Sequence, residues 1–142
     1  MSGVLKMSGA ASLALHTTAI LAENLDRLVS TKELASVLHA SESHLSKVLQ
    51  RLEKADIVSS TRGPRGGFKL SRASDEIVLR DVYEAIAGKL SLSDCILSEN
   101  ICDGNCILGK LITNLNMQFK NYLSSTKLSN LNSVYRSLSK YA

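Results

Sequence analysis

Residues 62–67, Arg-Gly-Pro-Arg-Gly-Gly, constrain the fold of this chain more than any other stretch. Glycine accepts positive φ angles and proline fixes its own φ, so these six residues favour a tight reversal. Before them, residues 57–61 are rich in β-branched side chains, and after them residues 68–71 alternate strictly between apolar and polar. The sequence therefore predicts a β-hairpin.

Two short helices are predicted directly upstream of this hairpin. The first follows Ser30 and Glu33, which have the spacing of a capping box, in which each residue satisfies the other's backbone N–H. Ser41 can cap the second, which runs through Lys54. Two short helices joined by a tight turn are the outline of a helix-turn-helix. Their buried faces are predicted from apolar residues at helical spacing: Leu34, Ala35, Val37, Leu38, Leu45, Val48, Leu49 and Leu52.

The remaining elements follow from the same periodicity. An apolar face over residues 10–28, including Leu25 and Leu28, predicts the first helix, and residues 80–87 predict another that stops at Gly88. Residues 91–106 lack periodicity. A long apolar stripe over residues 108–123 predicts a C-terminal helix, followed by a polar, Ser-rich tail.

Composition agrees with a small, mainly α-helical protein. The chain has 142 residues, 4% aromatic residues and no Trp, so a core of Leu, Ile, Val and Ala is expected and large multidomain enzymes are excluded. No stretch approaches the roughly 20 apolar residues of a membrane span, and no secretory leader is evident. We therefore expect a cytoplasmic protein that does not engage a membrane.

The positive charge is concentrated in one part of the chain. Residues 44–72 contain seven basic and two acidic residues, a net +5, whereas the whole chain carries +4. Such a patch on a helix-turn-helix and hairpin favours double-stranded DNA as the partner, because phosphate contacts release counterions. The alternative is a solvated basic face, and His44 in particular can be an exposed polar residue rather than a base contact. The predicted DNA-binding residues are Ser41, Ser43, His44, Lys47, Gln50, Arg51, Arg62 and Arg65.

Residues 45–68, LSKVLQRLEKADIVSSTRGPRGGF, resemble the run from recognition helix to wing in the Rrf-two family of bacterial transcription regulators. The Arg-Gly-Pro-x-Gly-Gly-aromatic core of this run is highly specific. The resemblance implies a winged helix-turn-helix DNA-binding domain (residues 1–90), a cysteine-containing sensor loop (91–106), and a dimerisation helix with tail (107–142). It further implies a homodimer that binds pseudo-palindromic promoter DNA, usually as a repressor.

Three cysteines, Cys95, Cys102 and Cys106, lie where this family keeps its sensor residues. In cluster-binding members three thiolates hold an iron–sulfur cluster, but here the last spacing is shorter than usual and Ser12 replaces an acidic residue that some relatives supply. The Cys-x-x-Gly at Cys106 is similar to the YwnA-like branch, which is not generally associated with clusters.

Thiol-based redox or electrophile sensing is therefore the first expectation for these cysteines. In it, Cys106 reacts at the start of the long helix and Cys102 resolves it. An iron–sulfur cluster and inert loop cysteines stay open. A zinc site would need a fourth ligand from Asp94, Asp103 or His16.

Two other classes of function fit the sequence less well than a DNA-binding regulator. A small thiol oxidoreductase would need features that are missing here, such as Cys-x-x-Cys and a strand-helix-strand order, so no enzyme is expected. A helical protein-interaction module without DNA contact is disfavoured by the basic hairpin.

Overall fold

The computed structural model describes residues 7–97, 99 and 101–131, and the ends of the expected first and last domains lie outside them. The mainly α-helical architecture with one small hairpin is confirmed, and none of the described helices is long and apolar enough to cross a membrane. In chain order, the elements are α1 (Gly9–Ala22), α2 (Thr31–Leu38), α3 (Glu42–Lys54), β1 (Val58–Thr61), β2 (Gly67–Leu70), α4 (Leu79–Ala87), α5 (Leu111–Ser125) and a 3-10 turn (Leu128–Asn130).

One hydrophobic core joins the helices. Helix α1 is its centre and packs on α3, α4 and α2. Small residues on α1, such as Ala11 and Ala14, are completely buried and let the neighbouring helices approach closely. Thr18 is also completely buried, and its Oγ1 donates to the Ala14 carbonyl at 3.0 Å, which satisfies the hydroxyl inside the helix.

The hairpin forms as predicted, with β1 antiparallel to β2. Val29, just before α2, adds a bridge to Phe68: each backbone N–H donates to the other's carbonyl, at 3.0 and 2.8 Å. A Cβ on Gly66 would lie 2.1 Å from the Thr61 carbonyl oxygen, and one on Gly67 would lie 2.7 Å from the Val29 carbonyl oxygen. These two glycines are therefore required by close backbone contacts.

Helix α1 is shorter than the apolar spacing over 10–28 predicted. It ends at Ala22, and the Asn24 side chain donates to the Ile20 carbonyl at 2.8 Å, where the next helical turn would have continued the ladder. Leu25 is 60% exposed. Leu28 is half-buried and precedes Val29, whose pairing with the hairpin requires extended backbone instead of helix.

The C-terminal helix and the segment after it also differ from the prediction. Helix α5 begins only at Leu111, so Leu108 precedes it. Beyond its end, the chain returns to the core: Leu128 is 1% exposed and its N–H donates to the Ile77 carbonyl at 2.9 Å. The first part of the Ser-rich tail is therefore core structure, whereas residues 132–142 lie outside the described residues.

Candidate nucleic-acid interface

Helix α3 is fixed in the molecule by its apolar face. The turn from α2 passes through His39 in the left-handed region at φ 51°. Ser41 Oγ then accepts from the His44 N–H at 3.2 Å and satisfies a donor of the first turn, as predicted. The opposite face of α3 is thus presented to solvent in a defined orientation. Four inward side chains are at most 2% exposed: Leu45, Val48, Leu49 and Leu52.

The predicted DNA-binding residues of α3 are all exposed, but they do not form one surface. Ser43, Lys47 and Gln50 are spaced three or four residues apart and share the face opposite the core. The ring of His44 turns toward α1, where its Cε1 lies 3.9 Å from the position that a Cβ would take on Gly9. The central strip of Ser43, Lys47 and Gln50 is therefore the part of α3 most open to a large partner.

Arg51 has a partner that its sequence position did not indicate. Its Nη2 donates to the Ile86 carbonyl, at the end of α4, at 2.6 Å. Carbonyls in the last turn of a helix have no partner within the helix and carry the negative end of its dipole. Arg51 therefore joins α3 to α4, a role that differs from the predicted contact with DNA.

The wing presents two arginines at its tip. Arg62 and Arg65 are exposed in the loop between β1 and β2, where the Gly66 N–H donates to the Gly63 carbonyl at 2.9 Å and closes the turn. A cleft of about 420 Å³ separates this loop from the start of α2 at Ser30 and Thr31. The predicted tip is therefore open to solvent on both sides of the turn.

A hydrogen bond couples the wing to α3. Ser60 Oγ on β1 donates to Glu53 Oε1 on α3 at 2.6 Å. The sequence did not predict this role for Glu53, because sequence separation alone does not show that β1 runs beside the end of α3. The pair fixes one element of the surface relative to the other.

Most of the basic side chains of this surface have no internal partner. Arg51 is engaged by Ile86, and Arg72 Nε donates to the Asp56 carbonyl at 3.1 Å. Within the described part of the chain, the side chains of the other five basic residues of the segment form no hydrogen bond or ion pair: Lys47, Lys54, Arg62, Arg65 and Lys69. The charge that the sequence concentrates here therefore remains available to an anionic partner.

An ion pair beside α2 contrasts with these unpaired charges. Arg27 Nη2 lies 2.9 Å from Glu33 Oε2, and this hydrogen bond is the main reason why the pKa of Glu33 is below its ordinary value. Ser30 Oγ accepts from the Glu33 N–H at 3.1 Å, which confirms the predicted N-cap of α2.

The cysteine segment, residues 91–106, has no helix or strand among its described residues. Cys102 is exposed, Cys95 and Cys106 are half-buried, and none of the three is in a disulfide. Cys106 lies in a turn closed by the Gly109 N–H on its carbonyl at 2.9 Å, and α5 begins only at Leu111. The expectation that Cys106 lies at the N-terminus of the long helix is therefore wrong, because Gly109, at φ 59°, ends this turn before the helix begins.

Two contacts tie the start of the cysteine segment to the helices. The Leu90 N–H donates to Glu84 Oε2 at 2.8 Å, and Asn116 Nδ2 on α5 donates to the Ser93 carbonyl at 2.7 Å. The Leu90 amide and then Arg80, whose Nε lies 2.7 Å from Glu84 Oε1, lower the pKa of Glu84. Neither tether was evident in the sequence, since both join residues whose proximity depends on the fold.

Comparison with known proteins agrees with this arrangement. The sequence model of the Rrf2 (Rrf-two) family, described as an iron-dependent transcriptional regulator, matches residues 7–133. The chain belongs to the Rrf2 family. It is 34% identical over 122 residues to an HTH-type transcriptional regulator of Aquifex aeolicus, covering 83% of this chain and 85% of that protein. Rrf2 proteins are DNA-binding transcriptional regulators and not enzymes.

Solved structures of Rrf2 regulators share the fold. CymR, the global cysteine regulator of B. subtilis, superposes with a TM-score of 0.77 at 27% identity, covering 94% of this chain and all (100%) of CymR. IscR of T. potens superposes with a TM-score of 0.70 at 21% identity, covering 98% of each chain. These similarities confirm the winged-helix architecture.

The family description mentions iron, so the side chains of this chain that could hold a metal ion are of interest. Among the described residues, no three His, Cys, Asp or Glu side chains are grouped so that they could hold a metal ion. Cys95, Cys102 and Cys106 thus do not form a ligand set for an iron–sulfur cluster in this arrangement, and it gives no support to a zinc site completed by Asp94, Asp103 or His16.

Proposed function

We propose that this Rrf2 regulator is a sequence-specific repressor in which α3 enters the major groove and the wing enters the adjacent minor groove. The observation that carries the proposal is the row of five unpaired basic residues along α3 and the hairpin, beside an exposed polar strip on α3. Ser43, Lys47 and Gln50 meet base edges, and Arg62 and Arg65 insert where the minor groove is narrow. Ser41 and His44 lie at the start of α3, where their hydrogen bond holds the first turn of the helix against the DNA.

The test is DNA binding to the promoter region of the protein's own gene at fixed salt. Arg62→Ala and Lys47→Ala are each expected to weaken binding about tenfold, and Lys47→Ala also to reduce discrimination against altered sites. Lys110→Ala, which removes an exposed positive charge outside the surface, is the matched control. Binding by Arg62→Ala that equals the control would refute insertion of the wing.

The proposed regulator acts as a homodimer through α5. Phe119 packs edge-on against Tyr83 of α4 with ring centroids 5.7 Å apart, so one side of the apolar stripe meets the body of the protein. On the adjoining side, Leu111 is 50% exposed and Tyr122 is 60% exposed. A second copy would cover these residues and place two copies of α3 about one turn of DNA apart, as a pseudo-palindromic operator requires.

Sedimentation equilibrium tests the dimer. Tyr122→Glu is expected to give monomers, whereas Ser124→Glu, an exposed position on the opposite side of α5, is expected to remain dimeric. A dimer that is equally stable in both variants would place the interface elsewhere.

Sensing is proposed to be thiol-based, through Cys102 and Cys106. A peroxide oxidises the Cys106 thiol to a sulfenic acid and is itself reduced to water or an alcohol. The Cys102 thiol then displaces water from that sulfenic acid, which leaves a disulfide. The exposure of Cys102 and the turn conformation around Cys106 support this chemistry, because both cysteines lie outside regular structure that would resist a change of shape.

Peroxide treatment of the reduced protein tests the switch. Loss of DNA affinity together with a Cys102–Cys106 disulfide in the peptide map is expected, and both changes should disappear in Cys102→Ser. A protein that is purified without oxygen, carries iron and sulfide, and absorbs visible light would instead support a cluster.

A further inference from the structure

A cleft of about 230 Å³ lies between the start of the cysteine segment and α5. The cysteine segment forms one wall, held to α5 by Asn116, and α5 forms the floor. At roughly 30 Å³ for each water-sized group, the cleft accommodates about eight non-hydrogen atoms. Its lining is half apolar and half polar: Leu90, Leu92, Asp94, Thr113, Asn116, Met117 and Lys120.

The two charged residues of this cleft are of opposite sign and belong to different segments of the chain. Asp94 belongs to the cysteine segment, and its Oδ1 accepts from Asn116 Nδ2 at 3.3 Å, which leaves Oδ2 for another donor. Lys120 belongs to α5 and forms no hydrogen bond or ion pair with the described residues. A ligand that contacts both segments therefore meets an acceptor on the cysteine segment and a cation on α5.

The apolar residues of the cleft indicate what the rest of the ligand should be. Leu92 is 37% exposed and Met117 is 57% exposed, so both present hydrocarbon surface that a small aliphatic group would cover. Methionine also adapts readily to different apolar shapes.

We propose that this cleft binds a small zwitterion of the α-amino acid class with an aliphatic side chain. The ligand's ammonium group binds Asp94, its carboxylate binds Lys120, and its side chain covers Leu92 and Met117. Binding links the cysteine segment to α5 beside Cys95 and so makes the segment responsive to a metabolite as well as to oxidants. The size limit excludes nucleotides and sugars phosphorylated at several positions.

Isothermal titration calorimetry of the full chain, without DNA, tests the proposal with L-valine, L-leucine and L-methionine. A ligand of this size in an open cleft is expected to bind with a dissociation constant of about 1 mM. Isovalerate lacks the ammonium group of valine and isobutylamine lacks its carboxylate, and both are expected to bind about three- to tenfold more weakly. Because DNA is absent, the outcome is independent of the proposed DNA-binding function.

Variants locate the binding site. Asp94→Asn and Lys120→Gln are each expected to weaken binding about three- to tenfold, whereas Asp103→Asn and Lys110→Gln, which remove the same charges outside the cleft, should leave it unchanged. Met117→Trp should fill the cleft and abolish binding, and its exposed position allows the protein to fold.

Two results would overturn the proposal. The first is that none of the amino acids binds, and the second is that isovalerate and valine bind equally well. In the first case, a shift from dimer to monomer in Met117→Trp would assign the cleft to contact between copies.

Discussion

Helix α3 and the wing differ from the cysteine segment in how far their apolar side chains are buried. Helix α3 has four inward residues that are at most 2% exposed, and the wing is joined to it through Glu53 and Ser60. In the cysteine segment and just beyond it, Ile101 is 75% exposed and Ile107 is 88% exposed. The first region buries its apolar side chains, whereas the second leaves several of them in water.

This difference agrees with the proposed division between DNA recognition and response. A DNA-binding surface needs fixed spacing between its side chains, which a close-packed core provides. A segment with few buried contacts opens at little cost in free energy, and such segments are where proteins change shape. The two regions meet through α4, which accepts Arg51 from α3 at one carbonyl and holds Leu90 through Glu84.

Alanine substitutions, one in each region, should show the largest difference in stability. Leu49→Ala leaves a cavity in the core, and we expect the free energy of unfolding to fall by about 3 kcal/mol. Ile107→Ala removes an exposed side chain and should change it by less than about 0.5 kcal/mol. Urea unfolding followed by circular dichroism measures both. Similar losses would mean that Ile107 is packed against another part of the protein.

The glycines of the wing should have the next largest effect. Gly66→Ala places a Cβ 2.1 Å from the Thr61 carbonyl oxygen, so the turn must move, and we expect a loss of about 2 kcal/mol with weaker DNA binding. Gly104→Ala is the matched control in the cysteine segment, since a Cβ there meets nothing within 4 Å although φ is 84°. That variant should lose only about 1 kcal/mol. An unchanged Gly66→Ala protein would show that the turn is easily remodelled.

The sequence predicted the recognition region well because its signals are local. Ser41 and Ser30 are N-caps, the spacing from Leu45 to Leu52 marks a buried face, and Gly66 closes the turn of the wing. Each of these effects acts within a few residues, so no knowledge of the tertiary fold was needed.

Features that depend on distant partners were not predicted. Arg51 and Ile86 are 35 residues apart, and the basic side chain gave no indication that it would bind a helix carbonyl. Leu25 continued the helical spacing but lies beyond the end of α1, because Val29 pairs with the wing. Leu128 lay in a polar stretch, and only the return of the chain to Ile77 buries it.

Two carboxylates beside these regions should contribute to the acid sensitivity of the protein. The pKa of Glu33 and that of Glu84 are both lowered in the folded protein. Each therefore adds stability above the unfolded value of about 4.3, and that stability is lost as the pH falls through the lowered folded pKa. Glu33→Gln and Glu84→Gln should both flatten the decline in unfolding free energy below about pH 4.5.

Only Glu84→Gln should also affect the cysteine segment locally. The neutral amide accepts more weakly from the Leu90 N–H, so hydrogen exchange of that amide at neutral pH should be faster than in the parent protein and in Glu33→Gln. Equal exchange of Leu90 in all three proteins would contradict the assignment of Glu84 as a tether.

The smallest effect is expected from the other tether, and it shows whether the cysteine segment moves as one unit. Asn116→Ala removes the 2.7 Å hydrogen bond to the Ser93 carbonyl, two residues before Cys95. A bond of this kind contributes about 1 kcal/mol net, so alkylation of Cys95 should become about fivefold faster. Asn114→Ala, exposed on the same helix, is the control, and peptide mass spectrometry measures the rates.

Cys106 should keep its rate in Asn116→Ala, because its turn is closed by contacts among residues 106–109 that do not involve α5. Faster alkylation of Cys95 without a change at Cys106 would mean that the segment contains two parts. One part is bound to α5, and the other contains the proposed redox pair. Equal acceleration at both cysteines would instead show that the whole segment opens together. In that case an occupant of the cleft at Asn116 and an oxidant at Cys106 would act on the same equilibrium, and each would alter the response to the other.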